Sequence, residues 1–261
     1  MQKHRVGFDW PARPNIAVIV GVIVASAAIT STLAVALSGP PPHARAVTTV
    51  SPTAAPTADR TRVEVMAPAP IATPIQPTVL AIGDSIMKGY GDPDGVSWLN
   101  LIAQKQNWNL IDRSCNGAGF ITVAHADCAT TLTAVISGTA GLNPDFVIVE
   151  GSANDSGTDT DRLAAVTTHA IEQLRTLFPR ATIIGLPVAW GDQQPPRDLV
   201  LINAQIAAAM ASVKGIYVDF GTPLLAHPEL MQYDHLHPLP SGQAALEAAI
   251  EQAIARAGIV I

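Results

Sequence analysis

Four short stretches of this sequence concentrate residues that can do chemistry. Gly83-Asp84-Ser85 places an acid and a hydroxyl directly after the apolar run Thr78-Val79-Leu80-Ala81-Ile82. Asn116-Gly117 lies in a turn-rich stretch that begins at Arg113, and Gly151-Ser152-Ala153-Asn154-Asp155 follows the run Asp145-Phe146-Val147-Ile148-Val149. Late in the chain, Asp234-His235-Leu236-His237-Pro238 sets an acid beside two imidazoles. Acyl transfer needs a nucleophile, a base to take its proton, a carboxylate to hold the base's tautomer, and donors for the tetrahedral oxyanion. Each role has one candidate. Ser85 is the nucleophile, His237 the base, and Asp234 the group able to reach the imidazole Nδ1 within a single turn. The backbone N–H groups of Ser85 and Gly117 and the side-chain amide of Asn154 are the oxyanion donors. Gly83 reads as the residue that permits a sharp turn out of the strand, and a glycine at 117 lets the backbone come close to a substrate.

Each stretch taken alone also has an ordinary reading. Gly-Asp-Ser after a strand is a turn built from good turn residues, and Asn154 and Asp155 are of types that cap turns and loops. Asp84 reads as a structural hydrogen-bonding residue, not a second acid. Asp234, His235 and His237 could in principle hold a metal, but three ligands within four residues and no distant partner make a poor site, so neither metal nor cofactor is expected. His235 then reads as exposed or as a local hydrogen-bond partner. Trp98, Trp190 and Tyr233 are groove candidates, although a lone aromatic usually belongs to a core. His125, His169 and His227 have no visible partner and receive no role.

The elements that must position these residues follow from pattern. Apolar runs predict strands over 78–82, 109–112, 145–149, 181–187 and 215–220, and helical spacing predicts helices over 96–106, 130–136, 161–178 and 196–213. Pro240 and Ser241 read as the entry and N-cap of a last helix reaching about residue 257. Strands alternating with helices imply a mostly parallel sheet covered on both faces, and five strands suit a flavodoxin-like order. In such a sheet the loops after residues 82, 112 and 149 fall along one carboxyl edge, where ligands of open α/β sheets bind.

Composition locates the domain. Residues 78–261 carry 9 Lys and Arg against 18 Asp and Glu, whereas residues 1–77 carry 6 against 3. An acidic domain without a basic stripe is a poor nucleic-acid binder, and a neutral or cationic substrate suits it better than a polyanion. Residues 16–37 hold 22 positions without a charge. As a helix this run would be about 33 Å long, enough for the ~30 Å core of a bilayer. Lys3, Arg5 and Arg13 precede it and only Arg45 follows closely, which predicts a cytoplasmic stretch over 1–15, a membrane anchor and an exported domain. A cleaved signal peptide is the competing reading, with secretion as its outcome. Residues 38–77, rich in Pro, Ala and Thr, read as an extended tether. Export gives Cys115 and Cys128, the only two cysteines, a disulfide as their expected state.

These four blocks, in this order, resemble the SGNH or GDSL-type hydrolase family: Gly83-Asp84-Ser85, Gly117, Gly151-x-x-Asn154-Asp155 and Asp234-x-x-His237-Pro238. The resemblance covers residues 78–261. It implies a three-layer α/β/α sandwich and serine ester hydrolysis without a metal. Gly117 sits at the family's distance after its strand, with Gly119 the alternative donor. The first block continues as Ile86-Met87-Lys88-Gly89-Tyr90 where the family often has leucine and small residues, so specificity is expected to lie there. A tethered esterase facing the envelope implies O-acyl groups on envelope glycans, glycolipids or lipids as substrates, with no obligate protein partner. Acyl transfer from the same acyl-enzyme and a non-catalytic envelope-binding module on the same fold are the alternatives.

Overall fold

Five apolar runs pair into one sheet. In the computed structural model, which describes residues 76–125 and 128–261, the strands are β1 (Thr78–Ile82), β2 (Asn109–Asp112), β3 (Phe146–Glu150), β4 (Thr182–Leu186) and β5 (Ile216–Tyr217). All pairs are parallel, and the order is β2-β1-β3-β4-β5, the flavodoxin-like arrangement expected. β1 lies between β2 and β3, with Leu80 beside Ile111 on one side and Val147 on the other. From the second residue onward β1, β3 and β4 are buried, as a sheet covered on both faces requires.

The pleat sends alternate side chains to opposite layers. Leu80, Ile82, Val147 and Val149 share one core with Ile171 and Leu174 of α4 (Thr160–Leu177) and Ile202 and Ile206 of α5 (Arg197–Ser212). Val79, Ala81, Ile148 and Ile184 share the other with Leu99 and Ile102 of α2 (Trp98–Lys105) and Leu246 and Ile250 of α6 (Pro240–Arg256). The result is the α/β/α sandwich. Two short helices complete it, α1 (Ser85–Lys88) directly after β1 and α3 (Leu132–Ser137) between β2 and β3. Ser97, Thr131 and Asp159 start α2, α3 and α4 by accepting a backbone N–H three residues on.

Expected ends shift by one or two residues at most elements, and two readings change in substance. Ser241 is not the N-cap of α6: Leu239 holds that position without a side-chain bond, and Pro240 opens the helix at a place where its missing N–H costs nothing. The strand expected over 215–220 is only Ile216–Tyr217, because β5 is an edge strand beside β4. Val218 N–H still reaches Gly185 O at 2.9 Å, and Asp219 then turns the chain by accepting Gly221 N–H at 2.8 Å. The expected cytoplasmic stretch and the anchor at 16–37 lie outside the described residues, as does the expected tether up to residue 75. Among the described residues no helix is long and apolar enough to cross a membrane.

Candidate active site

Gly83 leaves β1 next to α1, and a Cβ there would lie 2.7 Å from the Met87 sulfur. The glycine is needed for close helix packing, not for a special backbone conformation at the turn. Asp84 caps α1, its Oδ1 accepting Ile86 N–H at 3.0 Å. Ser85 is therefore the first residue of a helix, held at the carboxyl edge of the central strand. Its Oγ donates to His237 Nε2 at 2.9 Å, and His237 Nδ1–H donates to Asp234 Oδ2 at 2.6 Å. The other Asp234 oxygen accepts the N–H groups of Leu236 and His237, both at 3.0 Å. Partial burial raises the Asp234 pKa, but the His237 ring and these backbone donors outweigh it and hold the carboxyl below its ordinary range.

The Asp234–His237 turn is anchored from outside. Gln232 N–H donates to His237 O at 2.8 Å, and the Gln232 amide donates to Tyr90 O at 2.7 Å. The Tyr90 ring lies 4.7 Å from the His237 ring, centre to centre. His235 adopts a left-handed φ of 57° and pairs through Nδ1 with Asp192 Oδ2 at 3.0 Å. Its partner thus comes from the loop after β4, not from nearby in sequence. Asp234 and His237 bond each other, and among the described residues no three acid, histidine or cysteine side chains are grouped to hold a metal ion.

Cys115 and Cys128 are joined by a disulfide, which closes the loop after β2. Gly117, at φ +77° in that loop, lines the same cavity as Ser85. Among the described residues, the Ser85 and Gly117 N–H groups have no partner within the chain. Gly119 differs. Its N–H donates to Thr122 O at 2.9 Å, and a Cβ on it would overlap Asp155 Oδ1. That carboxylate accepts the N–H groups of Phe120, Ile121 and Thr122 at 2.6, 3.2 and 3.0 Å. Asp155 therefore fastens the Gly117 loop to the end of β3, and Gly119 is small to admit it.

Asn154 also lines the cavity, but its amide is engaged inward. Nδ2 donates to Ser152 Oγ at 2.9 Å and Ala118 O at 3.1 Å, and it is 3.5 Å from Asp84 Oδ2. Service to an oxyanion requires the exchange of one of these bonds. Ser152 Oγ in turn lies 2.7 Å from Asp84 Oδ2 and 2.8 Å from Ala118 O, so a buried polar network backs the Asp84-Ser85 turn. Burial pushes the Asp84 pKa up, against the hydrogen bonds from Ser152 and Ile86 and the charge of His237. Glu150, at the end of β3, is pushed well above the carboxylate range by complete burial and then by the negative Asp84.

The cavity beside Ser85 has a volume of about 380 Å³. Tyr90, Thr122, His125 and Leu236 line it together with the expected residues. Of these four, only Tyr90 falls in a stretch that the sequence marks for specificity. The expected disulfide is the one sequence signal that bears on Thr122 and His125, since both lie between its cysteines. Elsewhere in the marked stretch, Ile86 and Met87 are core residues and do not line the cavity. Trp98 is wholly buried, Tyr233 is wholly exposed, and Trp190 borders a separate recess after β4. His227 does have a partner, Glu229, at 2.9 Å.

A parallel α/β sandwich with a Ser-His-Asp hydrogen-bond chain at the carboxyl edge is an arrangement by which serine hydrolases act on acyl groups. Similarity to known proteins agrees. Residues 81–245 match the model of the GDSL-like lipase/acylhydrolase family. The chain belongs to this family and is a carboxylic ester hydrolase of the SGNH type. No curated protein sequence matches it. Among solved structures, the esterase EstA from Pseudoalteromonas sp. is 18% identical, with 69% of this chain and 98% of that one covered, at a TM-score of 0.56. The salicylyl-acyltransferase SsfX3 of a tetracycline biosynthetic pathway is 17% identical, with coverage of 71% and 56% and a TM-score of 0.57. A family two carbohydrate esterase from Clostridium thermocellum is 16% identical, with coverage of 72% and 66% and a TM-score of 0.55.

Proposed function

We propose that this chain is an exported serine esterase that removes O-acyl groups from envelope glycans, glycolipids or lipids. The observation that carries the reading is the line of short hydrogen bonds from Ser85 through His237 to Asp234 beside an open cavity. In this mechanism Ser85 Oγ attacks the ester carbonyl carbon while His237 Nε2 takes its proton. Asp234 holds the ring with its proton on Nδ1 and stabilises the imidazolium that forms. The N–H groups of Ser85 and Gly117 receive the oxyanion, joined by the Asn154 amide once it turns from its inward partners. His237 then gives its proton to the departing alcohol, and water, activated by the same imidazole, releases the acid from Ser85.

Export and anchoring through residues 16–37 are supported by the charge-free length of that run and the cations ahead of it. The Cys115–Cys128 disulfide fits an oxidising compartment. The deciding experiment is hydrolysis of short-chain p-nitrophenyl esters by the parent and by Ser85→Ala. Loss of the nucleophile is expected to lower kcat by at least about 10⁴-fold. No turnover in the parent, or equal turnover in the variant, sinks the proposal. Acyl transfer is a second reading, because the acyl-enzyme is the same and the open cavity admits an alcohol. Adding a short alcohol and analysing products separates the two.

A further inference from the structure

One loop supplies much of the cavity that the reaction itself does not use. The loop that follows Cys115 is tied by the Cys115–Cys128 disulfide and fastened by Asp155, which holds the N–H groups of Phe120, Ile121 and Thr122. That loop brings Asn116, Thr122 and His125 to the cavity that Ser85 and His237 line. His125 is exposed, and among the described residues it has no hydrogen-bond partner. No Lys, Arg, Asp or Glu is among the described residues that line this cavity.

From this we infer that His125 is a specificity-determining residue that hydrogen-bonds a hydroxyl on the alcohol part of the substrate. The substrate class is a short acyl ester of a polyhydroxylated ring, such as an O-acetylated carbohydrate. The inference rests on the reading of Ser85 as the nucleophile. An anionic alcohol or acid would find no fixed cation among the described residues of the cavity. A long acyl chain would need more room than the space of about 380 Å³ provides, and Asn116, Thr122 and His125 set polar side chains into a wall that is otherwise mostly apolar. That volume is near the lower end of ligand sites, which run from about 300 to 1,000 Å³, and suits one ring with a short acyl group. An imidazole both donates and accepts, as a sugar hydroxyl does. The half-exposed Tyr90 ring offers an apolar face to the C–H side of such a ring.

The test compares the full chain with His125→Ala and His125→Gln on three esters: p-nitrophenyl acetate, p-nitrophenyl octanoate and a mono-O-acetylated methyl glucoside. His125→Ala is expected to lose about three- to tenfold in kcat/KM on the glucoside, the effect of one neutral hydrogen bond, and less than about twofold on p-nitrophenyl acetate. His125→Gln, which keeps a donor and an acceptor, recovers most of the glucoside loss. The parent is expected to prefer acetate to octanoate. Equal losses on both acetates, no loss on either, or a preference for octanoate overturns the inference. Turnover of p-nitrophenyl acetate with an inert glucoside overturns this inference alone, whereas no turnover on any ester overturns the nucleophile assignment as well.

Discussion

Glu150, the last residue of β3, makes the stability of the fold depend on pH. The side chain is fully buried, and among the described residues neither carboxyl oxygen has a hydrogen bond of normal geometry. The nearby Ala189 N–H favours the anion, but burial and the negative Asp84 act against it and win. The folded chain therefore keeps this proton at pH values where the unfolded chain, with an ordinary glutamate pKa of about 4.3, has lost it. Between those two pKa values the folded state binds more protons, so the stability from Glu150 is whole below the unfolded value and falls as pH rises through the folded one. One proton of difference gives a slope of about 1.4 kcal/mol per pH unit, or roughly 3–5 °C in Tm for a domain of this size. Glu150→Gln keeps the shape and has no proton to lose. Urea unfolding of parent and variant from about pH 5 to about pH 8 should show the parent losing ground to the variant at up to that slope. Absolute stabilities do not decide the matter, because the amide carries its own cost of burial, which is constant with pH. Parallel stability curves would refute the claim that Glu150 is held neutral.

The remaining predictions separate positioning from chemistry. Gly119→Ala pushes a methyl group into the Asp155 carboxylate and should destabilise by about 1–3 kcal/mol in urea unfolding. Gly117→Ala meets nothing closer than 3.9 Å, so its cost is the left-handed backbone, about 1–2 kcal/mol, and its larger effect should be on kcat. Reduction of the disulfide, or Cys115→Ser with Cys128→Ser, releases a loop of sequence separation 13 and should cost about 3 kcal/mol, read as a fall in Tm under reducing conditions. Asp234→Asn loses the carboxylate that fixes the His237 tautomer, and kcat should fall by about 10²–10⁴-fold with the urea midpoint nearly unchanged, since Asp234 is half-exposed.

Features that depend on neighbours in sequence or on a rule of topology are legible in the residues alone. Apolar runs ending at Ile82 and Val149 mark strands, and a parallel sheet gathers their ends on one edge, so Ser85, Gly117 and Asn154 can be expected to meet. The Asp234–His237 bond spans a single turn and is equally accessible. Contacts across the fold are not. Nothing local says that Asp155 will take three N–H groups from a loop more than thirty residues earlier, or that Gly119 is small on its account. The same holds for His235, whose partner lies on another strand's loop. Glu150 does leave a signal, a single charge at the end of an apolar run, where a strand buried on both faces must neutralise or pair it. The two cysteines carry a further constraint of the same kind. Once Cys115 and Cys128 are joined, the chain that leaves Cys115, two positions from Gly117, has to return to it at Cys128. Thr122 and His125 lie between the two cysteines, and the structure places both at the cavity beside Ser85 with Gly117.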